Sequence, residues 1–216
     1  MFASIRRYRL SRGSMDDLTR RVDEGFAEQI AAQPGFVSYE FIDCGDGEVM
    51  TISVFSGSDE AEGSRDLAQR WTEQNLRDLE FARIETLHGE VLVSRAAQDM
   101  LEPGHVGAAG RFASVRRYRQ GSRSVADLMH VVDDVFADPM QEIDGFAAYH
   151  ALDCGGGEVL SISLFRDQSG AEESDDRALA FVREQLAEFD IDRTEVLGGT
   201  VAVSRAMARV LEPAHA

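Results

Sequence analysis

The chain has four tyrosines, and they recur as two matched pairs: Tyr8 with Tyr118, and Tyr39 with Tyr149. A phenol can bind an oxygen atom of a substrate or exchange a proton with it. All four fall in strand-like stretches, where a ring with a polar tip also packs well in a core. Two interpretations stay open. The phenols line a cavity, with Tyr39 a catalytic and Tyr149 a ligand-binding candidate, or they only pack.

Arg6, Arg7 and Arg9 lie on alternating faces of the first strand-like stretch, and the same pattern returns after residue 110, so at least one arginine of each stretch points inward. An inward arginine must pair with a carboxylate or bind an anionic ligand. Arg6 and Arg116 are therefore ligand-binding candidates, and Glu40 and Glu85 are candidate internal partners.

Two histidines, His88 and His150, fall in strand-like stretches, one in each half of the chain. His88 is a candidate acid–base group and His150 a candidate ligand-binding residue, unless each is only accommodated in its strand. Trp71 and Asn75 are four residues apart in a helical pattern and share one helix face. No histidine has the spacing of a metal ligand, so no metal site is expected.

Cys44 and Cys154 occupy the same position of two Gly-rich turns. Neither has a histidine or a predicted helix start nearby that would activate a thiol, which favours a structural role. The turns lack the strand–glycine–helix context of a dinucleotide fingerprint, so nucleotide binding is not predicted.

Composition excludes further chemistry. All 22 basic residues are arginine, so the chain has no lysine for a Schiff base or a phosphate loop. The net charge of −17 argues against nucleic acid or an anionic membrane as a partner. No window is apolar enough to span a membrane, and two cysteines make no disulfide framework. We therefore expect a cytoplasmic protein.

The chain consists of two tandem copies of one module. A shift of 110 positions aligns residues 2–103 with 112–213 without a gap, and 44 of the 102 aligned pairs are identical. Residues 104–110 between the copies are rich in Gly and Ala and are typical of a linker. The predicted organisation is repeat 1 at 1–103, a linker at 104–110 and repeat 2 at 111–216.

Each copy has the same predicted order of elements. In the first copy the order is a strand at 2–10, a helix capped by Ser14 and ended by Pro34-Gly35, strands at 36–43 and 48–55, a helix from Asp59 and a strand at 82–88 followed by Gly89. In the second copy the later helix is expected to start at Ser169, and Pro139 should stop or kink the first helix near Asp138.

This order, β-α-β-β-α-β, is the ferredoxin-like arrangement of an α+β fold. The strand at 36–43 is apolar at both alternating sets, with Val37, Tyr39 and Phe41 on one face and Phe36 and Ile42 on the other. A sheet apolar on both faces needs a second cover, which the other copy can supply. The prediction is an intramolecular pseudo-dimeric α/β barrel of two ferredoxin-like repeats.

Three stretches carry a resemblance to a known family: ASIRRYR, PGFVSYEFIDCGDGEVMTISVF and AEGSRDLAQRWTEQNL. They resemble the antibiotic-biosynthesis-monooxygenase-like (ABM-like) branch of the dimeric α/β-barrel superfamily, over nearly the whole of both copies. The resemblance implies ferredoxin-like modules that pair into a barrel with a cavity. The superfamily includes cofactor-independent oxygenases, haem-degrading enzymes and isomerases, so the resemblance is specific for fold more than for activity.

The resemblance also implies roles for the shared helix face. Trp71 would form a wall of the cavity, and Asn75 would polarise a substrate oxygen. In the alternative interpretation Trp71 only packs the helix onto the sheet, and Asn75 is solvated. The second copy has Phe181 and Gln185 at these positions, so such a site would be one-sided. The strand-1 asparagine of haem-degrading members is absent, and no cofactor is expected.

Three hypotheses on function follow. The first is a cofactor-independent monooxygenase acting on a small aromatic compound, in a cavity of about 300 Å³ or more. The second is a non-catalytic small-ligand-binding or stress-related barrel, and the third is an oligomerisation module. The sequence leaves open whether the chain is an enzyme. A small-molecule ligand and further homo-oligomerisation are both compatible with it.

Overall fold

The computed structural model describes residues 1–97, 110–121 and 124–206. Its first half contains β1 (Phe2–Arg12), α1 (Met15–Arg21), a π-helical turn (Val22–Phe26), α2 (Ala27–Ala31), β2 (Phe36–Gly45), β3 (Glu48–Phe55), α3 (Ser58–Asn75) and β4 (Glu80–Ala96). Its second half contains β5 (Phe112–Gln120), α4 (Val125–Val131), a π-helical turn (Val132–Ala137), α5 (Asp138–Gln141), β6 (Phe146–Gly155), β7 (Glu158–Phe165), α6 (Gln168–Gln185), a 3-10 turn (Ala187–Phe189) and β8 (Ile191–Ala206). Among the described helices, none combines the length and the apolar character that a membrane crossing requires.

The chain forms two compact units, which share the two longest strands. Of the described residues, unit 1 holds Met1–His88 and 199–206, and unit 2 holds 89–97, 110–121 and 124–198. Each unit therefore contains one half of β4 and one half of β8. The units cut across the last strand of each sequence repeat. The predicted repeat boundaries stay a prediction, and all of the linker except Gly110 lies outside the described residues.

Strand pairing in each unit follows the ferredoxin-like order. In unit 1 the strand order is β4-β1-β3-β2-β8, with β1 and β2 antiparallel to β3 between them. Unit 2 has the equivalent order β8-β5-β7-β6-β4. Across the described chain the hydrogen-bonded order closes as a barrel. The predicted α+β class and ferredoxin-like barrel are confirmed.

The hairpins form where the Gly-rich turns predict them. In the first hairpin Asp46 and Gly47 both have positive φ, which is the turn conformation that two-residue β-hairpins favour. A Cβ at Gly47 would lie 2.5 Å from the carbonyl oxygen of Leu10 on β1, so only glycine fits there.

The first helix of each unit begins as predicted and then changes its winding. The Ser14 hydroxyl accepts a hydrogen bond from the backbone N–H of Asp17 and caps α1. In unit 2 the predicted stop near Asp138 is wrong, because Ala137 and Asp138 keep helical backbone angles and Pro139 lies within α5. The alternative, a kink at this place, stays a prediction. The π-helical turn before Pro139 also occurs in unit 1 without a proline, so proline is not its cause.

Three sequence expectations on element boundaries are wrong. The long helices begin one residue earlier than expected, after Gly57 and after Asp167, whose carboxylate accepts from the Gly170 N–H. Strand β4 does not end at Gly89 but continues to Ala96. Gly89 has a different function, because a Cβ there would lie 2.8 Å from the carbonyl oxygen of Asp153 on the paired strand.

A β-bulge changes the expected faces of β2. The pairing of β2 with β3 shifts between Phe36 and Ser38, and this places Phe36 on the same side as Tyr39 and Phe41. The expectation that Phe36 faces away from these two residues is therefore wrong, because a bulge breaks the period of two. The three rings join the helices in the core of unit 1, together with Tyr8, Leu18, Val22, Phe26, Ile30, Phe55, Trp71 and Leu76.

Candidate functional site

A small cavity lies between the sheet and the helices of unit 1. Its volume is about 30 Å³, which is room for one or two water molecules. The expected cavity of about 300 Å³ or more is therefore wrong for this site, because core side chains fill most of the space between the sheet and the helices. The sheet contributes Arg6, Tyr8, Tyr39, Phe41, Thr51 and Phe81, and the helices and their ends contribute Val22, Phe26, Ala68, Trp71, Thr72 and Leu76.

Three rings form the wall where the helices meet the sheet. The ring centroid of Phe26 lies 5.3 Å from that of Tyr39, edge-on, and 5.4 Å from that of Trp71. Phe26 ends the π-helical turn, and Val22 at its start also lines the cavity. Insertions of this kind re-aim side chains and are frequent at functional sites.

A stacked pair of rings separates the cavity from an outer groove. Tyr8 and Phe81 stack with centroids 4.6 Å apart and their planes within 13°. The groove beyond them has a volume of about 230 Å³ and shares Tyr8, Ala68, Thr72 and Phe81 with the cavity. The two spaces therefore adjoin at these residues, of which Phe81 is partly buried.

The two phenols of the cavity are held in their neutral form. Burial raises the pKa of Tyr8 and raises that of Tyr39 well above its ordinary value, and the nearby Arg6 only partly opposes both shifts. A neutral phenol donates or accepts a hydrogen bond but is a poor proton acceptor at neutral pH.

Arg6 is buried at the edge of this cavity with an exposed fraction of 1%. Its guanidinium makes two long contacts, each of 3.4 Å, from Nη1 to Ser53 Oγ and from Nη2 to Ser64 Oγ. Its Nε is buried and has no hydrogen-bond partner. Burial lowers the pKa of Arg6.

Neither of the two expected internal partners pairs with Arg6, but one of them pairs with another arginine of the same strand. Glu85 pairs with Arg7, whose Nη1 lies 3.1 Å from Glu85 Oε2. Glu40 accepts a hydrogen bond from Ser204 Oγ at 3.0 Å. Arg7 is the next residue on β1 and points to the opposite side of the strand from Arg6, so Glu85 lies on the side of Arg7.

The equivalent arginine of unit 2 is fully paired. Arg116 is buried, and its Nε donates to Asp175 Oδ1 at 2.5 Å. Its Nη1 donates to Ser163 Oγ at 2.9 Å, and its Nη2 donates to Ser174 Oγ. Arg116 therefore has a carboxylate and two close hydroxyls where Arg6 has two distant hydroxyls.

Unit 2 has its own cavity of about 30 Å³ at the equivalent place. No ionised side chain lines it among the described residues. Its wall consists of apolar and neutral polar groups, including Tyr118, Tyr149, Phe136, Phe181 and Ser161. Burial raises the pKa values of both tyrosines.

The structure brings together some of the sequence-predicted site residues and separates others. Arg6, Tyr39 and Trp71 share the unit 1 cavity. Asn75 does not reach it. Its side chain is exposed, and its amide donates to the backbone carbonyl oxygen of Trp71 at 2.8 Å. Of the unit 2 candidates, Tyr149 lines the second cavity and Arg116 does not.

The two histidines lie outside both cavities. His88 Nδ1 lies 3.0 Å from Ser4 Oγ, and burial followed by the charge of Arg65 lowers its pKa. His150 Nδ1 lies 3.0 Å from Ser94 Oγ, and burial lowers its pKa to about 4. His150 lies between Tyr149 and Ala151, which face the helices, so it points to the opposite face of its strand.

Sequence reasoning did not select Tyr8, Phe26 and Phe81 as site residues. The signal for Tyr8 was available, because residues 6 and 8 of one strand face the same side. Phe26 and Phe81 carried no such signal, since their positions depend on the π-helical turn and on the path of β4. Within residues 1–97, 110–121 and 124–206 no group of three His, Cys, Asp or Glu side chains could hold a metal ion.

No family model and no curated protein matches this chain. Solved structures do share its fold. A candidate monooxygenase from Fusobacterium nucleatum superposes with a TM-score of 0.72 at 6% identity, over 95% of this chain and 94% of that one. A candidate monooxygenase from Lactobacillus acidophilus gives 0.69 at 12% identity, over 95% of both chains. An anthrone oxidase-like protein gives 0.51 at 14% identity, over 100% of this chain and 97% of that one. The chain therefore shares the fold of these proteins.

Proposed function

We propose that this chain is an ABM-like protein that binds a small aromatic compound in the cavity of unit 1 and oxidises it with molecular oxygen, without a bound cofactor. The observation that carries the proposal is the cavity itself. Tyr8, Tyr39 and Trp71 surround it together with a buried arginine, and it adjoins a groove of about 230 Å³. The fold shared with candidate monooxygenases and an anthrone oxidase-like protein supports the choice of reaction class.

The size of the cavity restricts how a substrate binds. About 30 Å³ cannot hold an aromatic ring, so the ring must displace Phe81 and occupy the space that opens toward the groove. Phe26 and Trp71 would contact the ring from the helix side. The phenols of Tyr8 and Tyr39 would hydrogen-bond its oxygen atoms.

Without a cofactor, the substrate must supply the electrons that reduce oxygen. A ring CH2 group flanked by aromatic rings meets this need, because the anion formed when one proton passes to solvent is stabilised by delocalisation. The CH2 group then loses its second hydrogen and gains one oxygen atom as a carbonyl, and the other oxygen atom leaves as water. No ionisable side chain lining the cavity is a proton acceptor at neutral pH, so the site would act by stabilising the substrate anion.

Oxygen uptake with anthrone as the substrate tests this proposal. The wild-type chain should consume oxygen faster than the uncatalysed reaction. Tyr8→Phe and Tyr39→Phe should each lower the rate by about tenfold or more. The control is Tyr118→Phe, the equivalent of Tyr8 in unit 2, which should keep the wild-type rate. Equal losses in Tyr8→Phe and Tyr118→Phe would contradict a site in unit 1.

A second candidate function is ligand binding without catalysis. It is favoured by the lining of the cavity, which includes no side chain that accepts a proton at neutral pH. In that case anthrone or a related compound would raise the melting temperature of the wild-type chain and no oxygen would be consumed. Measuring binding and oxygen uptake on the same preparation separates the two functions.

A further inference from the structure

The feature that the fold leaves unexplained is the charge of Arg6. An arginine side chain stays protonated inside a protein, and burying a cation without a counter-charge is costly. Arg6 is 1% exposed, and among the described residues no carboxylate pairs with it. Its Nε, a strong donor, is left without an acceptor. Native structures rarely leave such a group without a partner, which is a protein group, an ordered water or a ligand.

The two units differ at the residue that should neutralise this arginine. In unit 2 the carboxylate is Asp175 on α6, which lies 2.5 Å from Arg116 Nε. The equivalent position on α3 of unit 1 is Arg65, a second cation. The charges of Arg83 and Arg65 act on Arg6 unfavourably, in addition to the effect of burial. Unit 2 therefore has a carboxylate, Asp175, at the position where unit 1 has the cation Arg65.

The side chains around Arg6 do not replace that anion. Tyr8 and Tyr39 are the phenols nearest to its charge, and burial raises the pKa of each, so neither is a phenolate at neutral pH. Ser53 and Ser64 are neutral hydroxyls at 3.4 Å. The described part of unit 1 thus supplies polar contacts to the guanidinium but no negative charge.

The surroundings of Arg6 also define the rest of the ligand. The guanidinium lies at the edge of a cavity whose other walls are mostly apolar and aromatic. About 30 Å³ suits the oxygen atoms of an acidic group but not a ring. The ring would lie beyond them, between Tyr8 and the groove. An inorganic anion would satisfy the charge but would leave the aromatic walls without a function.

We propose that the cavity of unit 1 binds one aromatic molecule that carries an oxyanion, a carboxylate or a phenolate, and that Arg6 holds this oxyanion, whereas the cavity of unit 2 binds none. The inference rests on the ligand cavity of the proposed function and does not depend on whether the ligand is oxidised. It assigns each chain a single binding site despite its two similar units.

Calorimetric titration of the full chain without oxygen tests this inference. The probes are 2-naphthoate, its neutral isostere 2-naphthamide, and acetate, which has the charge but no ring. We expect 2-naphthoate to bind one molecule per chain, and both 2-naphthamide and acetate to bind at least about tenfold more weakly. Trp71 is the single tryptophan of the chain and lies in the cavity wall, so its fluorescence should change on binding.

Two variants locate the site. Arg65→Asp keeps Arg6 but installs the counter-charge that unit 2 already has, and it should weaken 2-naphthoate binding by about tenfold or more. Arg6→Met should do the same. Asp175→Asn in unit 2 is the control, and the binding in unit 1 should keep its affinity. Far-ultraviolet circular dichroism confirms that each variant folds.

The results distinguish this inference from the proposed function. Equal affinities for 2-naphthoate and 2-naphthamide would overturn the role of Arg6 while leaving the aromatic cavity in place. Acetate binding as tight as 2-naphthoate binding would overturn the aromatic part of the inference. Two molecules bound per chain would overturn the difference between the units. Tight 2-naphthoate binding by a chain that never consumes oxygen with anthrone would support this inference and contradict only the oxidative chemistry.

Discussion

Gly25 lies directly against the indole ring of Trp71. A Cβ at position 25 would come within 3.3 Å of the ring atoms Cζ2 and Nε1, closer than side chains normally pack. The equivalent pair in unit 2 is Val135 and Phe181, a larger residue on the first helix with a smaller ring on the second. The absence of a side chain at residue 25 is therefore what makes room for the tryptophan that walls the cavity.

Gly25→Val should consequently destabilise the chain. The added side chain meets the Trp71 ring, and overpacking of this kind costs about 1–3 kcal/mol in the free energy of unfolding. Urea denaturation followed by far-ultraviolet circular dichroism measures the loss, because this signal is also present in the variants without Trp71. The double variant Gly25→Val/Trp71→Phe copies unit 2 and should recover most of that loss. A double variant as unstable as the sum of the two single variants would show that residues 25 and 71 do not interact.

The two buried arginines should respond in opposite ways when their environment changes. Asp175→Asn leaves the Arg116 guanidinium buried without its carboxylate and should lower the free energy of unfolding by about 1–3 kcal/mol. Arg6→Met removes a buried cation that has no counter-charge and should leave the stability unchanged or raise it. Urea denaturation of both variants provides the comparison. A large loss of stability in Arg6→Met would mean that Arg6 is satisfied within the fold.

The sequence was sufficient to predict the order of elements and the fold. The same order occurs in both repeats, and the spacing of apolar residues differs between strands and helices. The prediction failed where one residue serves a contact that is distant in sequence. Gly89 is an example: the pattern predicts that the strand ends before it, but Gly89 lies within β4 and allows the close approach of the paired strand at Asp153. The β-bulge after Phe36 is another, since it breaks the alternation from which faces are predicted.

The candidate site was predicted only in part for the same reason. The alternation of side chains along β1 predicts that at least one of its arginines points inward, and Arg6 does. The partners of Arg6, however, depend on which side chain of α3 lies near it. The informative signal was the difference between the repeats, Arg65 in one and Asp175 in the other. The helix face shared by Trp71 and Asn75 was misleading, because the Asn75 side chain at the helix end turns back to a carbonyl of its own helix.

Asn75→Ala should therefore have little effect on ligand binding or oxygen uptake. Its amide donates to the Trp71 carbonyl at the end of α3, so the variant loses one exposed hydrogen bond, worth about 1 kcal/mol or less. The rate of oxygen uptake with anthrone and the affinity for 2-naphthoate should both stay within about twofold of wild type. A loss of rate of a hundredfold with unchanged stability would place Asn75 in contact with the substrate after all.

The two thiols should react slowly in the folded chain. Burial, reinforced by the charge of Glu48, raises the pKa of Cys44 to about 11, and burial with the charge of Glu158 raises that of Cys154 to about 12. The thiolate is the reactive form, so at pH 8 a rise from the ordinary value of 9 to 11 lowers its fraction about a hundredfold. Reaction with a disulfide reagent, followed in buffer and in urea, measures the difference. Rapid modification of the folded chain would indicate an activated cysteine.

Protonation of His150 should weaken the fold in mild acid. Burial lowers its pKa to about 4 in the folded chain, whereas an unfolded chain protonates histidine near pH 6.5. Between these values the unfolded state binds more protons, so the free energy of unfolding rises with pH there. The contribution of neutral His150 is complete above pH 6.5 and is lost progressively as the pH falls toward 4, by up to about 3 kcal/mol. His150→Gln carries no such proton, and the stability difference between it and the wild type should shrink or reverse from pH 7.5 to pH 4.5. Parallel stability curves for the two proteins over this range would contradict the neutral, buried histidine.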